Sequence, residues 1–198
     1  APASPTPWAT AATPLFTELG GGTTHTLSGT GLNLGAGPSC AVGGVAATVQ
    51  SRTNGRATVR LGAQNVPGWQ GIEYTTTAGS TQVPRGIGVI PMLDIPDPFD
   101  SGGSGLPKTI DCYSRPNDLA VWMFSNGKGA PFVLPGFRHQ FELNFGSLIT
   151  VLNQVVGSSG KVQVPIPAIA FTRPLSFQVV NVEAPAYNSG SFTNVVEL

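Results

Sequence analysis

Cys40-Ala-Val-Gly-Gly-Val-Ala-Ala-Thr-Val-Gln-Ser-Arg-Thr-Asn-Gly-Arg-Ala-Thr-Val-Arg-Leu61 holds three short strand-type runs, Cys40 to Val42, Ala46 to Gln50 and Ala57 to Leu61. Gly43-Gly44 and Asn54-Gly55 part them, and both pairs offer the positive φ that two-residue hairpin turns demand. The stretch therefore reads as three antiparallel strands. Outward from it the pattern repeats at Thr23 to Ser28, Gly71 to Thr77 and Thr81 to Ile90. Strands recurring every 8 to 12 residues between turn signals are the mark of a β-sandwich. No window shows the 3.6-residue apolar period free of Gly, Pro and β-branched residues, and only Phe145 to Val156 leaves room for a helical turn.

Asp94-Ile-Pro-Asp97-Pro-Phe-Asp100-Ser-Gly-Gly-Ser-Gly105 interrupts the strands with prolines and then glycines, as a connection between domains does. Beyond it lie Thr109 to Tyr113, Leu119 to Ser125, Gln140 to Phe145, Lys161 to Ile166, Leu175 to Val182 and Phe192 to Leu198. In Leu175 to Val180 the large apolar residues alternate with Ser176 and Gln178, so at least one face is buried. The expectation is an all-β chain of two tandem antiparallel β-sandwich domains of the immunoglobulin-like kind: an extended strand over 1–14, a domain over 15–91, a linker over 92–105 and a second domain over 106–198.

Composition narrows the function. Among 198 residues, ten Lys and Arg balance ten Asp and Glu, and charged residues are 10% of the chain, against about 25% in ordinary soluble proteins. A neutral chain lacks the basic footprint of a nucleic-acid binder or of a protein held on anionic membranes. The apolar runs, such as Leu119 to Phe124, are far too short to span a membrane. Scarce lysine, abundant Ser and Thr, and a first segment without the shape of a signal peptide point to an exported, already processed protein. Two cysteines 72 positions apart, Cys40 and Cys112, match no zinc or redox spacing, and in an exported chain a single disulfide is expected.

Gly20-Gly-Gly-Thr-Thr-His-Thr-Leu-Ser-Gly-Thr-Gly-Leu32, followed by Gly37-Pro-Ser-Cys-Ala-Val-Gly-Gly-Val-Ala-Ala-Thr-Val49, resembles the IPT/TIG family of immunoglobulin-like domains. The likeness spans roughly residues 5 to 91 and rests on a Gly-Gly-Thr opening, a Gly-x-Gly turn and a Val-Gly-Gly hairpin. Leu32 stands where the family usually has Phe. More loosely, residues 92 to 198 resemble the β-sandwich at the C-termini of many uncharacterised secreted bacterial proteins. The matching pieces are Asp118 to Ser125, Gly160 to Pro167, Leu175 to Val179 and Ser191 to Val196. No activity comes with either resemblance.

Candidate chemistry is sparse. His25 and His139 each sit in polar strand or loop settings without a neighbouring nucleophile, and Gly103-Ser-Gly105 lacks the flanks of a nucleophile elbow. No catalytic residue and no cofactor is expected. Asp94, Asp97 and Asp100 could ligate calcium, but Pro96 and Pro98 spread them, so a solvated acidic linker is the better reading and no metal is expected. Trp8, Trp69 and Trp122 could line a sugar platform; Trp122 reads as core and Trp69 as exposed.

The N-terminus carries the functional expectation. Between Ala1 and Ser51 the only formally charged side chain is Glu18. Pro2, Pro5 and Pro7 restrict the segment to an edge strand, Trp8 is its large apolar anchor, and Gly20-Gly-Gly22 reads as a hinge behind it. A segment of this kind can complete the sandwich of another copy. The reading is a structural subunit of an extracellular bacterial fibre, a helical homopolymer built by strand donation through Pro7, Trp8, Ala9, Ala11 and Leu15. The alternative is a secreted carbohydrate-binding or adhesion module that does not polymerise. Thr6, Thr10 and Thr13 are the first candidates for O-linked glycan, since no Asn-x-Ser/Thr sequon occurs.

Overall fold

The computed structural model describes residues 5–95, 108–166 and 175–197. The chain divides into two compact units, Ala1–Val89 and Ile90–Leu198. Both are β-structures, antiparallel except for one two-residue parallel pairing in the second unit.

The first unit contains β1 (Trp8–Thr13), β2 (Phe16–Glu18), β3 (Thr24–Thr30), β4 (Ser39–Val42), β5 (Val45–Arg52), β6 (Arg56–Leu61), β7 (Gly68–Thr76) and β8 (Gly79–Ile90). They pair in the order β1-β3-β6-β5-β4-β7-β8-β2. Cut at the β4–β5 hairpin, this path is the A-B-E-D sheet and the C-F-G sheet of an immunoglobulin fold. The N-terminal strand is split, its first part β1 lying on one sheet and its second part β2 on the other. Thr13-Pro14-Leu15 makes the crossing, as a proline that interrupts a strand will. Leu27, Val42, Ala57, Val59, Ile72, Tyr74 and Ile87 are fully or almost fully enclosed in the core between the sheets.

Gly43 and Gly44 close the β4–β5 hairpin at φ 56° and 80°, as the sequence requires of them. Asn54-Gly55 does otherwise. Neither residue takes a positive φ. Asn54 instead accepts a hydrogen bond on Oδ1 from the Gly31 N–H at 3.0 Å and one on its carbonyl from Leu32 at 3.1 Å. Its side chain is spent on the neighbouring turn, which a reading of dipeptides alone does not reveal.

The N-terminal segment also departs from expectation. β1 is seated in its own unit, with Ala9 opposite Gly29 and Ala12 opposite Leu27. Gly29 makes the seat: a Cβ there would lie 2.0 Å from the Trp8 carbonyl oxygen. Pro7, Ala9 and Ala12 turn inward, whereas Trp8 is 64% exposed and Leu15 45%. Trp8 is therefore no anchor in this arrangement, because alternation along the strand gives the inward positions to its small neighbours. Nor do the three glycines form a free hinge. The N–H of Gly21 bonds Glu18 and that of Gly22 bonds Leu61, at 3.0 and 2.8 Å.

The second unit contains β9 (Met92–Asp94), β10 (Lys108–Tyr113), β11 (Leu119–Ser125), β12 (Lys128–Phe132), β13 (Phe137–Arg138), β14 (Phe141–Leu143), β15 (Ile149–Val155), β16 (Lys161–Ile166), β17 (Ser176–Val182), β18 (Gly190–Phe192) and β19 (Val196–Glu197). β9, β10 and β16 form one sheet; β13, β18, β17, β11 and β15 form the other in that order, with β19 beside β17. Met92–Asp94, expected in the linker, is thus a strand of the second sandwich, paired with Asp111–Tyr113. Asp97 and Asp100 lie outside the described residues.

Residues adjacent in β11 point to opposite faces, and both faces are covered. Trp122 joins the core shared with β10, β16 and β17; Met123 joins a second cluster with Phe141, Leu143 and Phe192, packed beneath the two-stranded β12–β14 sheet. That small sheet explains why Ser176 and Gln178 are buried alongside Phe177 and Val179. Gln178 meets the cost of burial through three hydrogen bonds, donating to the Gln140 and Thr193 carbonyls and accepting from the Glu142 N–H at 2.9 to 3.0 Å. The helical turn expected after Phe145 is a single 3-10 turn, Phe145–Ser147, its start held by Asn144.

Candidate functional site

Two connections at one end of the second unit, 114–118 between β10 and β11 and 183–189 between β17 and β18, enclose a cleft of about 520 Å³ lined by Arg115, Pro116, Asn117, Asp118, Ala184, Pro185 and Tyr187. Backbone bonds pin both loops. Asn117 donates to the Val156 carbonyl and Val156 to that of Asp118, each at 2.8 Å, while Tyr187 donates to the Glu183 carbonyl at 2.9 Å. The prolines hold φ near the value each turn needs.

The carboxylates in the cleft are held by their surroundings. Asp118, 4% exposed, accepts from the Ser114 hydroxyl at 3.2 Å and from the Ala184 N–H at 3.4 Å, with Arg115 Nε at 3.7 Å. Arg115 also reaches Glu183 at 2.5 Å, Arg138 lies 3.9 Å from the same oxygen, and Ser189 donates to the other at 3.1 Å. Two guanidinium groups thus face two carboxylates, and the local charge cancels. Tyr187 is 49% exposed. Its φ is 52° and that of Asn117 is 72°, so two of the four described non-glycine residues with left-handed backbone line this one cleft. Such conformations cost energy and gather where loops are shaped for a task.

A second cleft, of about 310 Å³, lies in the first unit against Gly43, Gly44, Gly71, Glu73, Gln82 and Pro84. It holds one charged group and no aromatic ring.

The residues singled out from the sequence do not converge. Cys40 and Cys112 are both free thiols, which corrects the expected disulfide. Each is enclosed in the core of its own unit, Cys40 with Val42 and Tyr74, Cys112 with Ile110 and Trp122. Burial pushes the thiols up, to about 11 for Cys40 and about 12 for Cys112. His25 is buried beside the Pro14 carbonyl, and His139 lies 3.5 Å from Glu142 in the other unit. Trp122 is core, at 2% exposure. Trp69 is no free platform: Phe16 lies 5.8 Å from its ring and the Arg85 guanidinium 5.1 Å. Thr6, Thr10 and Thr13 are exposed, with the Thr10 hydroxyl donating to the Ser28 carbonyl at 3.1 Å.

Tyr187 and Asn117, the residues that shape the larger cleft, were not among those singled out. The signal was present in Arg115-Pro-Asn-Asp118 and Ala184-Pro-Ala-Tyr-Asn-Ser189, two turn-forming stretches with an aromatic in one of them. Only the topology brings them together. No helix among the described residues is long and apolar enough to cross a membrane.

No family model matches the chain, and no curated protein matches it. Among solved structures, the chain is similar over its whole length to a γ-CGTase from alkalophilic Bacillus clarkii, at 15% identity and a TM-score of 0.42. It spans about a quarter of that enzyme, 25%. It is similar also to SGBP-B from a xyloglucan utilization locus in Bacteroides uniformis (14% identity, TM-score 0.35, 97% of this chain and 72% of that one). A third likeness is to the plexin A4 extracellular region (14% identity, TM-score 0.41, 94% and 16%). At such scores these likenesses decide nothing about function; the immunoglobulin-like description of the first unit rests on its own strand order.

Proposed function

We propose that the chain is a secreted glycan-binding module of the immunoglobulin-like kind, and that the cleft between residues 114–118 and 183–189 takes a neutral sugar. The observation that carries this reading is the pairing, in one cleft, of the exposed Tyr187 with fixed polar groups on Arg115, Asn117 and Asp118. A pyranose has an apolar face that lies on an aromatic ring and an equatorial rim of hydroxyls that need donors and acceptors. Cancellation of charge between Arg115, Arg138, Asp118 and Glu183 favours an uncharged ligand over an acidic one. Affinity electrophoresis and calorimetry of the whole chain with neutral α-glucan, neutral β-glucan and a polyuronate test it. Binding to a neutral glycan that weakens about tenfold, about 1.4 kcal/mol, in Tyr187→Ala supports the site. Equal binding by the variant, or preference for the polyuronate, refutes it.

The weak hold on β1 favours a second reading, assembly by exchange of that strand between copies. Apart from Pro7, only Ala9 and Ala12 of the segment turn inward, so the strand contributes little apolar burial to its own unit, and a seat cut by Gly29 accepts the same strand from either copy. Polymers of normal length from a chain beginning at Gly20 rule this out.

A further inference from the structure

We propose that His25 is an acid-sensitive latch on the N-terminal strand: when its imidazole takes up a proton, the chain from β1 to Leu15 lifts off the first unit while the strands behind it stay folded. This inference is independent of the glycan cleft and requires no exchange of β1 between copies.

The geometry sets the ring directly under the chain it holds. His25 is wholly enclosed, at 0% exposure, on the inner side of β3 and opposite Val59 of β6. Its Nδ1 meets the Pro14 carbonyl at 2.7 Å, at the point where the N-terminal strand crosses from one sheet to the other. Thr13, Pro14 and Leu15 are themselves exposed. The crossing is therefore the cover that lies between the imidazole and water.

A neutral ring suits this enclosure, since it donates one hydrogen bond from Nδ1, and Nε2 is buried with no partner. A charged ring does not suit it. The second N–H has no acceptor, and burial of a cation without one is strongly unfavourable. Among the described residues no carboxylate compensates. β1 carries no charge, and on β2 Glu18 follows the inward Thr17 and takes the other face. Arg56 and Arg60 of β6, Glu73 of β7 and Arg85 of β8 are exposed. Arg52, opposite the inward Ala57, is itself a cation and opposes a second. Cys40, pushed to about 11, stays a neutral thiol, and the Tyr74 hydroxyl bonds the Leu32 carbonyl. Burial accordingly holds the imidazole below its ordinary value.

The smallest opening that relieves the ring is at β1. This edge strand pairs only with β3, and Ala9 and Ala12 are its inward residues, so lifting it uncovers little apolar surface. β3 keeps its other neighbour, β6. Any other route to His25 parts β3 from β6 and exposes Leu27 and Val59, both core residues at 0% exposure. With β1 lifted, the ring meets water and titrates as an ordinary histidine, near about 6.5. The open form thus binds the proton more readily than the closed one. Closure is fully favoured above that value and is lost as pH falls through the lower value of the closed form.

Hydrogen exchange of the whole chain, corrected for the effect of pH on intrinsic rates, tests the latch. From about pH 7 to about pH 5, protection of the amides in residues 8–15 should fall about tenfold, while that of β4 to β7 falls far less. His25→Gln, whose amide can donate to Pro14 and gains no charge, should abolish the fall. In His139→Asn the one remaining imidazole is that of His25, and its NMR signals should show a separate charged form that grows as residues 8–15 lose protection. An equal fall in His25→Gln overturns the proposal. So does loss of protection in β1 and in β4 to β7 together, a β1 whose protection is indifferent to pH, or an imidazole that becomes charged while residues 8–15 stay protected.

Discussion

The Tyr74 hydroxyl donates a 2.7 Å hydrogen bond to the Leu32 carbonyl, across 42 residues of sequence and within a fully buried site. It fastens β7 to the Gly31-Leu32 turn. The same turn is held from the other side by Asn54. Tyr74→Phe keeps the ring and strands the carbonyl, so unfolding of the first unit should become easier by about 1–2 kcal/mol. Chemical denaturation of the whole chain, followed by the fluorescence of Trp69, measures it. An unchanged midpoint would show that the bond carries no net energy.

His25 gives the first unit a dependence on acidity. Its Nδ1 lies 2.7 Å from the Pro14 carbonyl, to which the neutral ring donates, while Nε2 is buried without a hydrogen-bond partner. Burial holds the imidazole below its ordinary value, the Pro14 bond opposing it in part. The unfolded chain therefore takes up the proton more readily than the folded one. Stability due to His25 is fully present above the unfolded value of about 6.5 and is lost as pH falls through the lower folded value. Burial lowers His139 as well, against the pull of Glu142, so the second unit loses stability over the same direction of pH. Melting curves from neutral to acidic pH should flatten for the first unit in His25→Gln and for the second in His139→Asn. Asn is suited to the φ of 61° at that position.

The two cysteines should behave as enclosed thiols. With the Cys40 thiol pushed to about 11, only about one molecule in a thousand carries the thiolate at pH 8, and Cys112 is higher still. Native protein should resist iodoacetamide for hours. Denatured without reductant, it should take up two equivalents. Mass spectrometry that finds one intramolecular bridge instead would reverse the assignment.

How much of this was legible can be judged element by element. Leu119–Ser125 and Lys161–Ile166 fall where the sequence places strands, because turn residues bound each run and nothing inside competes. Trp8 went the other way. As the one large apolar residue of its segment Trp8 reads as the anchor, yet the close pass of β1 over Gly29 leaves room only for alanine on the inner side. Cys40 and Cys112 illustrate a different limit: export and an even count argue for a bridge, but pairing depends on which core each strand faces, and spacing carries no trace of that. The cleft was invisible for the same reason. Asn117 and Tyr187 are 70 positions apart and meet only because β11 and β17 are neighbours.

Tyr187 should respond to substitution with opposite signs in stability and in binding. Its φ of 52° lies in the left-handed region, where a side chain with a Cβ costs about 1–2 kcal/mol. Glycine relieves that cost but adds freedom to the unfolded chain worth about 0.5–1 kcal/mol. With the ring 49% exposed, little packing is lost. Tyr187→Gly should therefore leave the second unit as stable as before or more stable by up to about 1 kcal/mol. Asn117→Gly, at φ 72°, should be nearly neutral, since Asn already tolerates that backbone. If the ring and the polar groups of the cleft face a sugar, Tyr187→Gly loses glycan binding while its melting temperature holds or rises, and Asn117→Gly weakens binding to a smaller degree at unchanged stability. If the left-handed backbone serves only to turn the loop, neither variant changes affinity. A marked fall in melting temperature for Tyr187→Gly would instead mean that the tyrosine holds residues 183–189 in place, and the cleft would lose its claim as a binding site.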